Sequence, residues 1–526
     1  MLKRIYLSLK ARCERMDSKG FTGRLLFFAT GLAATAWFLV RVIPKPSRAA
    51  YPCMRAAAPW MSSFVLYILS LVGGVSLWRR MRNGWDAWSW GGRFAALSAL
   101  SLLLVVGGMA FTGESFAIRS VLGVAPKQML APNEPVGVAR GIFPGRVAWS
   151  HAPGAARWDG EGFWFDDRFN RQEDCDWLIG ETLRSLTGES SDREAWQAIF
   201  TYFNRSKGKG EIGYRPGEEL AIKINQNNTY SHKDSEEINA SPQMVLALLR
   251  SLVEQAGVPE ERIVVADPSR FITDYLYEKC HARFPKVRWV DNQGGDGRQK
   301  STFAAHAMRY SQDNGPLADG ISTAFVEADY VINMALLKGH VGQGVTLCGK
   351  NWYGTMSINA DWRKNHHNGF NQNKEGRPQY ITFVDFMGHK DLGGKTILWL
   401  IDGLYGSKKV DGKPAPKWTM APFRGDWPCS LFGSLDPVAI DMVGTDFLLH
   451  QFPDMPDVDY SDMYLNEAAR ANQAPSGVRY DPDGMGHGLP SLGVAEHWDN
   501  AESKRYSRNQ GKSEGIELVY SCRSAI

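Results

Sequence analysis

Hydrophobic positions divide this chain near residue 120. Before that point stand three apolar runs with almost no interior charge, 25–42, 60–78 and 94–111. Each has about 18 residues, enough at a helical rise to cross a thin hydrocarbon core. Charged or Trp residues border the runs, and their Gly, Ala and Ser positions would let helices approach closely. They predict a membrane anchor of three transmembrane helices over 1–120. Buried core helices are the bland alternative. For the first run alone a cleaved signal peptide is another; its long basic lead and missing A-x-A exit favour retention.

After residue 120 short apolar strands alternate with helical periods. A strand and turn are predicted over 134–148, and helices over 171–187 and 191–202. The stretch 218–228 reads as a core strand through Leu220, Ile222 and Ile224. Apolar positions from Val245 to Val253 predict a helix over 241–256, closed by Gly257 and Pro259. A strand (262–267), a helix (271–284) and a strand (287–290) follow. Further strands are expected over 328–337 and 396–402, and a turn and helix over 431–449. This rhythm predicts an α/β fold, a largely parallel or mixed sheet with covering helices, behind the three membrane helices. Past 451 the periodicity weakens. The expected segments are the anchor at 1–120, an aromatic-rich linking and cleft-wall region at 121–217, the α/β domain at 218–450, and a C-terminal extension packed on it at 451–526.

Charge sharpens the division. The 526 residues carry a formal net charge of +4, but residues 1–120 hold 16 Lys+Arg against 4 Asp+Glu, leaving 44 against 52 in the rest. Basic residues that flank apolar runs speak for membrane topology, and no basic, aromatic-interleaved track suggests nucleic acid. The basic lead to the first run and Arg79, Arg80, Arg82 and Arg93 in the second loop would lie in the cytoplasm. That orientation puts the large domain in the periplasm, or outside, of a multi-pass protein of the cytoplasmic (inner) membrane. Six of the seven cysteines, all but Cys13, could then meet an oxidising compartment. No C-x-x-C occurs, so no iron–sulfur cluster is expected.

Candidate chemistry gathers where strands end, since α/β proteins bind ligands there. The stretch 330–357 brings Lys338, His340, Lys350 and Asn351 to the end of an apolar strand. Lys223, Asn225 and Asn227 stand at another such end, Asp267 at a third and Asp402 at a fourth. Lys338 and Lys350 could clamp a carboxylate or phosphate, and His340 could move a proton. Asp402 could orient that imidazole. Asp267, Asp402, Asp436 and His340 would make a reasonable hard-metal set for a divalent ion, without a diagnostic spacing. Arg157 lies in an aromatic loop, 149–167, that either packs on the surface or walls the cleft. A polar loop over 359–379 is expected to lie over the site. Against each functional role stands an ordinary salt bridge or buried polar network.

Several pieces in order resemble proteins carrying the domain of unknown function 362. They are AIKIN (221–225), VVADPS (264–269), LLKGH (336–340), VTLCGKNWYG (345–354), WLIDGLYG (399–406) and SLDPVAIDMVG (434–444). The resemblance implies a ligand site on Lys223, Asn225, Asp267, Lys338, His340, Lys350, Asn351, Asp402, Asp436 and Asp441. Some such proteins carry ferredoxin-like clusters, whose Cys spacing this chain lacks. Three functions follow as expectations. The first is a membrane-anchored extracytoplasmic enzyme acting on an anionic small molecule or envelope component by acid–base or metal-assisted chemistry. The second is a non-enzymatic ligand-binding or assembly subunit beside a membrane-protein partner. The third is a redox accessory protein without its own cluster.

Overall fold

In this computed structural model the described residues are 132–305, 308–312, 320–356 and 378–524, with isolated positions earlier. Most of the first two expected membrane helices, the whole of the third, Cys13 and Cys53, and all but the end of the 359–379 loop lie outside them. Isolated described positions of the first two runs, among them Leu32, Trp37, Val65 and Ile68, are helical. Among the described residues no helix is long and apolar enough to cross a membrane. The chain divides into two compact units, Met1–Lys127 and Gln128–Ile526.

The second unit opens with β1 (Val136–Gly137) and β2 (Arg146–His151), then α1 (Gln172–Thr187) and α2 (Asp192–Ser206). Next come β3 (Leu220–Lys223), α3 (Pro242–Arg250), β4 (Ile263–Asp267), α4 (Asp274–His281), β5 (Arg288–Asp291) and β6 (Gln299–Lys300). A small excursion holds β7 (Phe303–Ala304), β8 (Ile321–Ser322) and α5 (Thr323–Val326). The chain returns through β9 (Tyr330–His340), β10 (Gly344–Val345), α6 (Cys348–Asn351) and α7 (Thr382–Gly388). It finishes with β11 (Thr396–Ser407), β12 (Ser430–Ser434), α8 (Pro437–Gln451), α9 (Val458–Ala469), β13 (Val494–Ala495) and β14 (Glu517–Cys522).

Among the described residues the main sheet has ten strands in the order β14-β2-β12-β11-β9-β3-β4-β5-β6, with β10 paired to β9. It is mixed. β11, β9, β3, β4, β5 and β6 run parallel, and β12 opposes both β11 and β2. The α1–α4 helices cover one face with Leu178, Trp196, Leu248 and Leu276 against Ile222, Val265 and Ile332. On the other face α7–α9 bring Phe383, Phe447 and Leu465 against Ala221, Val331 and Ile401. Two covered faces explain why β3, β4 and β9 are apolar without alternation.

From β3 the chain winds outward to β6, then returns to place β9 on the other side of β3. The winding therefore reverses between β3 and β9, and a crevice at their carboxyl ends follows from that reversal.

Some elements differ from expectation. The helix expected over 241–256 is α-helical only to Arg250 and continues as a π-helical turn, Ser251–Gln255, where Ser251 Oγ receives the Trp196 indole at 2.9 Å. The turn expected at 431 is strand β12. The 451–526 stretch contributes α9 and edge strand β14 to the fold. Cys175, Cys280, Cys348, Cys429 and Cys522 are free thiols, the first four buried.

Candidate functional site

Three parallel strand ends build the centre of the site. Lys223 ends β3, opposite Asn333 of β9 and Ala266 of β4. Its Nζ lies 3.2 Å from Asp267 Oδ1 and donates to the Ile224 carbonyl at 2.5 Å. Burial pushes the Lys223 ammonium down, and Asp267 pulls it back up. Asp267 Oδ2 accepts the Gln226 amide at 2.7 Å.

Asn351 of α6 closes this network. Its Oδ1 receives Asn225 at 3.0 Å and Lys223 at 3.3 Å, and its Nδ2 donates to Asn333 at 2.8 Å. A side chain at Gly354 would strike Asp267 Oδ1 at 2.3 Å and Lys223 Nζ at 2.7 Å, so only glycine lets that backbone cross the pair.

Lys338 stands apart from this closed set. It is fully buried near the end of β9, and among the described residues its Nζ makes one hydrogen bond, to the Ile238 carbonyl at 3.3 Å. Asn228 Nδ2 donates to the same carbonyl at 2.9 Å. No carboxylate of a described residue lies within ion-pair distance of Lys338. Burial pushes its ammonium down to about 7, against the pull of Glu237, Asp267 and Asp411, while Arg270 pushes with burial.

The aromatic loop supports this region from outside. The Trp164 indole donates to the Glu237 carbonyl at 3.2 Å, and Tyr405 stacks edgewise on Trp164. Arg157 is exposed and folds back on its own loop, Nε to the Gly154 carbonyl at 2.9 Å.

Residues 220–446 match the family model of DUF362, a domain of unknown function. Over that span, a little under half of the chain, the sequence is similar to this family. No curated protein and no solved structure matches the chain. The matched span runs from β3 into α8, so it includes every strand end just described.

Within the matched span the other expected residues have separate partners. Lys350 places its ammonium 3.8 Å from the Tyr353 ring centroid. His340 turns Nδ1 to the Val341 carbonyl at 2.5 Å, within its own turn. Asp402 accepts the amides of Ser241 at 2.9 Å and Leu404 at 3.0 Å, tying the start of α3 to β11. Burial pushes its carboxyl above the usual range.

Asp436 caps α8, accepting Val438 and Ala439 on Oδ1 and Arg140 and Val494 on Oδ2. Asp441 holds the amides of Cys348 and Gly349 at 2.8 Å each and the Tyr464 hydroxyl at 2.8 Å. Asn227 bonds Asn228 and receives Arg270 at 3.3 Å.

The expected catalytic set of Lys338, His340, Lys350 and Asp402 is therefore spread over several surroundings. The metal set of Asp267, Asp402, Asp436 and His340 is not assembled either. Its aspartates are engaged by donors on different elements, and no group of three or more His, Cys, Asp or Glu among the described residues could hold an ion.

Sequence reasoning missed three contributors. Asn333 is a polar residue inside the apolar run YVINMALL, and that interruption is its signal. Gln226 sits in the polar exit INQNN, and Arg270 directly follows the DPS turn.

Proposed function

We propose that this domain binds an anionic small molecule or envelope component at the carboxyl ends of β3, β4 and β9, with Lys338 as its counter-charge. The observation that carries this reading is a fully buried ammonium with one carbonyl partner and no carboxylate at ion-pair distance among the described residues. A buried charge is costly unless paired, and a negative ligand supplies the pair. The reversal of winding between β3 and β9 supports the same location. An amine pushed down to about 7 is also suited to proton transfer, so acid–base catalysis on the bound anion extends the reading to an enzyme.

The three apolar runs before residue 120 and the basic residues around them support a membrane anchor with the domain outside the cytoplasm. The exposed apolar positions Leu32, Trp37 and Val40 in the first run are in keeping with a lipid-facing helix. A second reading, a non-catalytic binding or assembly subunit, is favoured by the mutual satisfaction of Lys223, Asp267, Asn225 and Asn351.

Calorimetric titration of detergent-purified protein with small oxyanions tests the anion site. Binding should disappear in Lys338→Met. It should also weaken about tenfold per pH unit above 7, because the neutral amine must take up a proton to pair with the ligand. Unchanged affinity in the variant would rule out Lys338 as the counter-charge.

A further inference from the structure

Three residues past Lys223, the Gln226 side chain is left unanswered. It is 1% exposed, and among the described residues neither Oε1 nor Nε2 has a hydrogen-bond partner. Its main chain is fully engaged: the amide donates to Asp267 Oδ2, and the carbonyl receives the Thr229 amide at 3.1 Å and hydroxyl at 2.8 Å. The residue is thus fixed in place with an unanswered side chain. Leaving a buried polar group unsatisfied costs about 1–3 kcal/mol, and a primary amide has both a donor and an acceptor to satisfy.

Its neighbours link it to two cationic side chains. Asp267, which holds the Gln226 amide, also acts on Lys338. Arg270, on the turn after β4, acts on Lys338 too, and its Nε is buried without a hydrogen-bond partner among the described residues. Asn228, two residues after Gln226, shares the Ile238 carbonyl with Lys338. Arg270 also donates to Asn227 at 3.3 Å, so the short stretch 226–228 past the end of β3 links Gln226 to both Arg270 and Lys338.

We propose that Gln226 and Lys338, with Arg270, form a subsite for an oxyanion that carries its own hydrogen-bond donor, such as a protonated phosphate or a 2-hydroxycarboxylate. The inference rests on the anion reading above and adds the ligand's class. Lys338 meets the negative charge. Gln226 Nε2 gives a hydrogen bond to an oxygen of the ligand, and Gln226 Oε1 takes one from the ligand's hydroxyl. An acceptor-only anion leaves Oε1 unanswered and is discriminated against.

Paired probes test this on the full-length, detergent-purified chain below pH 7, where Lys338 is charged. Phosphate is compared with sulfate, and glycolate with acetate. In at least one pair the donor-bearing member should bind about tenfold tighter than its twin, the ratio one hydrogen bond supports. Phosphate preference alone assigns a phosphate ligand, and glycolate preference alone a hydroxy acid. Gln226→Leu, or Gln226→Met should the first variant fold poorly, should erase the preference. Neither should lower the melting temperature of the unliganded protein, because each removes an unsatisfied amide.

Equal binding of both pairs to the native chain would overturn the inference, as would a preference that survives in a folded Gln226 variant. If the twins bind equally and Lys338→Met abolishes both, the anion reading stands and the donor requirement falls. A native chain that binds none of the four probes would overturn the anion reading and this inference together.

Discussion

At the scale of single residues, two buried lysines that feel the same carboxylate have opposite meanings. Lys223 is paired with Asp267 at 3.2 Å, so Asp267→Asn strands a charge. That variant should lose about 3–5 kcal/mol in a urea unfolding series. Lys338 has no such partner, so Lys338→Met should raise the stability of the unliganded protein by about 1–3 kcal/mol while ending anion binding. The sign with pH follows from an ammonium lowered from 10.5 to about 7. Below 7 both folded and unfolded chains hold the proton, and the full penalty of burial is present. Between 7 and 10.5 the folded chain holds fewer protons, so the native protein regains stability as pH rises and the advantage of Lys338→Met shrinks. The lysines themselves were legible in the sequence as charges inside apolar strand patterns. Which of them is paired was not, because it depends on Asp267 arriving from the neighbouring strand.

At the scale of elements, carboxylates that looked like site residues turn out to join pieces of structure. Asp436 receives four backbone amides from three segments, so Asp436→Ala should cost about 2 kcal/mol or more, measured as a lowered unfolding midpoint. His497 does similar work between α8 and α9: Nδ1 is 2.6 Å from Asp446, and Nε2 is 3.2 Å from Asp462. Burial opposes charge on this imidazole, but Asp446 and Asp462 outweigh it and hold it at about 10. Its folded value lies above the ordinary 6.5, so its contribution is complete below 6.5 and is lost as pH rises through about 10. His497→Gln should therefore be less stable than the native chain near neutrality, and the gap should close toward pH 10 in thermal melts. Strands and helices with strong periods, such as β3, β4, β9 and α1, could be read from sequence. α9 could not, because tyrosines and an acidic lead blur its apolar stripe, and β14 is an edge strand with one exposed face.

At the scale of the whole molecule, the division of charge and hydropathy near residue 120 makes its own prediction. The full chain should sediment with membranes. Cys522, exposed in the structure, should react with a membrane-impermeant maleimide in cells whose outer barrier has been opened, and Cys522→Ser should lose that labelling. Labelling only after detergent lysis would place the domain on the cytoplasmic side. The α/β architecture was legible because alternating strands and helices leave few ways to arrange a sheet. The reversal of winding between β3 and β9 was not, since it depends on strand order. Asp441 carries one last consequence. A single carboxylate on α8 grips both the first turn of α6 and the Tyr464 hydroxyl of α9. Asn351, three residues beyond that grip, is thereby moored to the far C-terminal helix, and a perturbation of the tail has a mechanical route to the crevice floor.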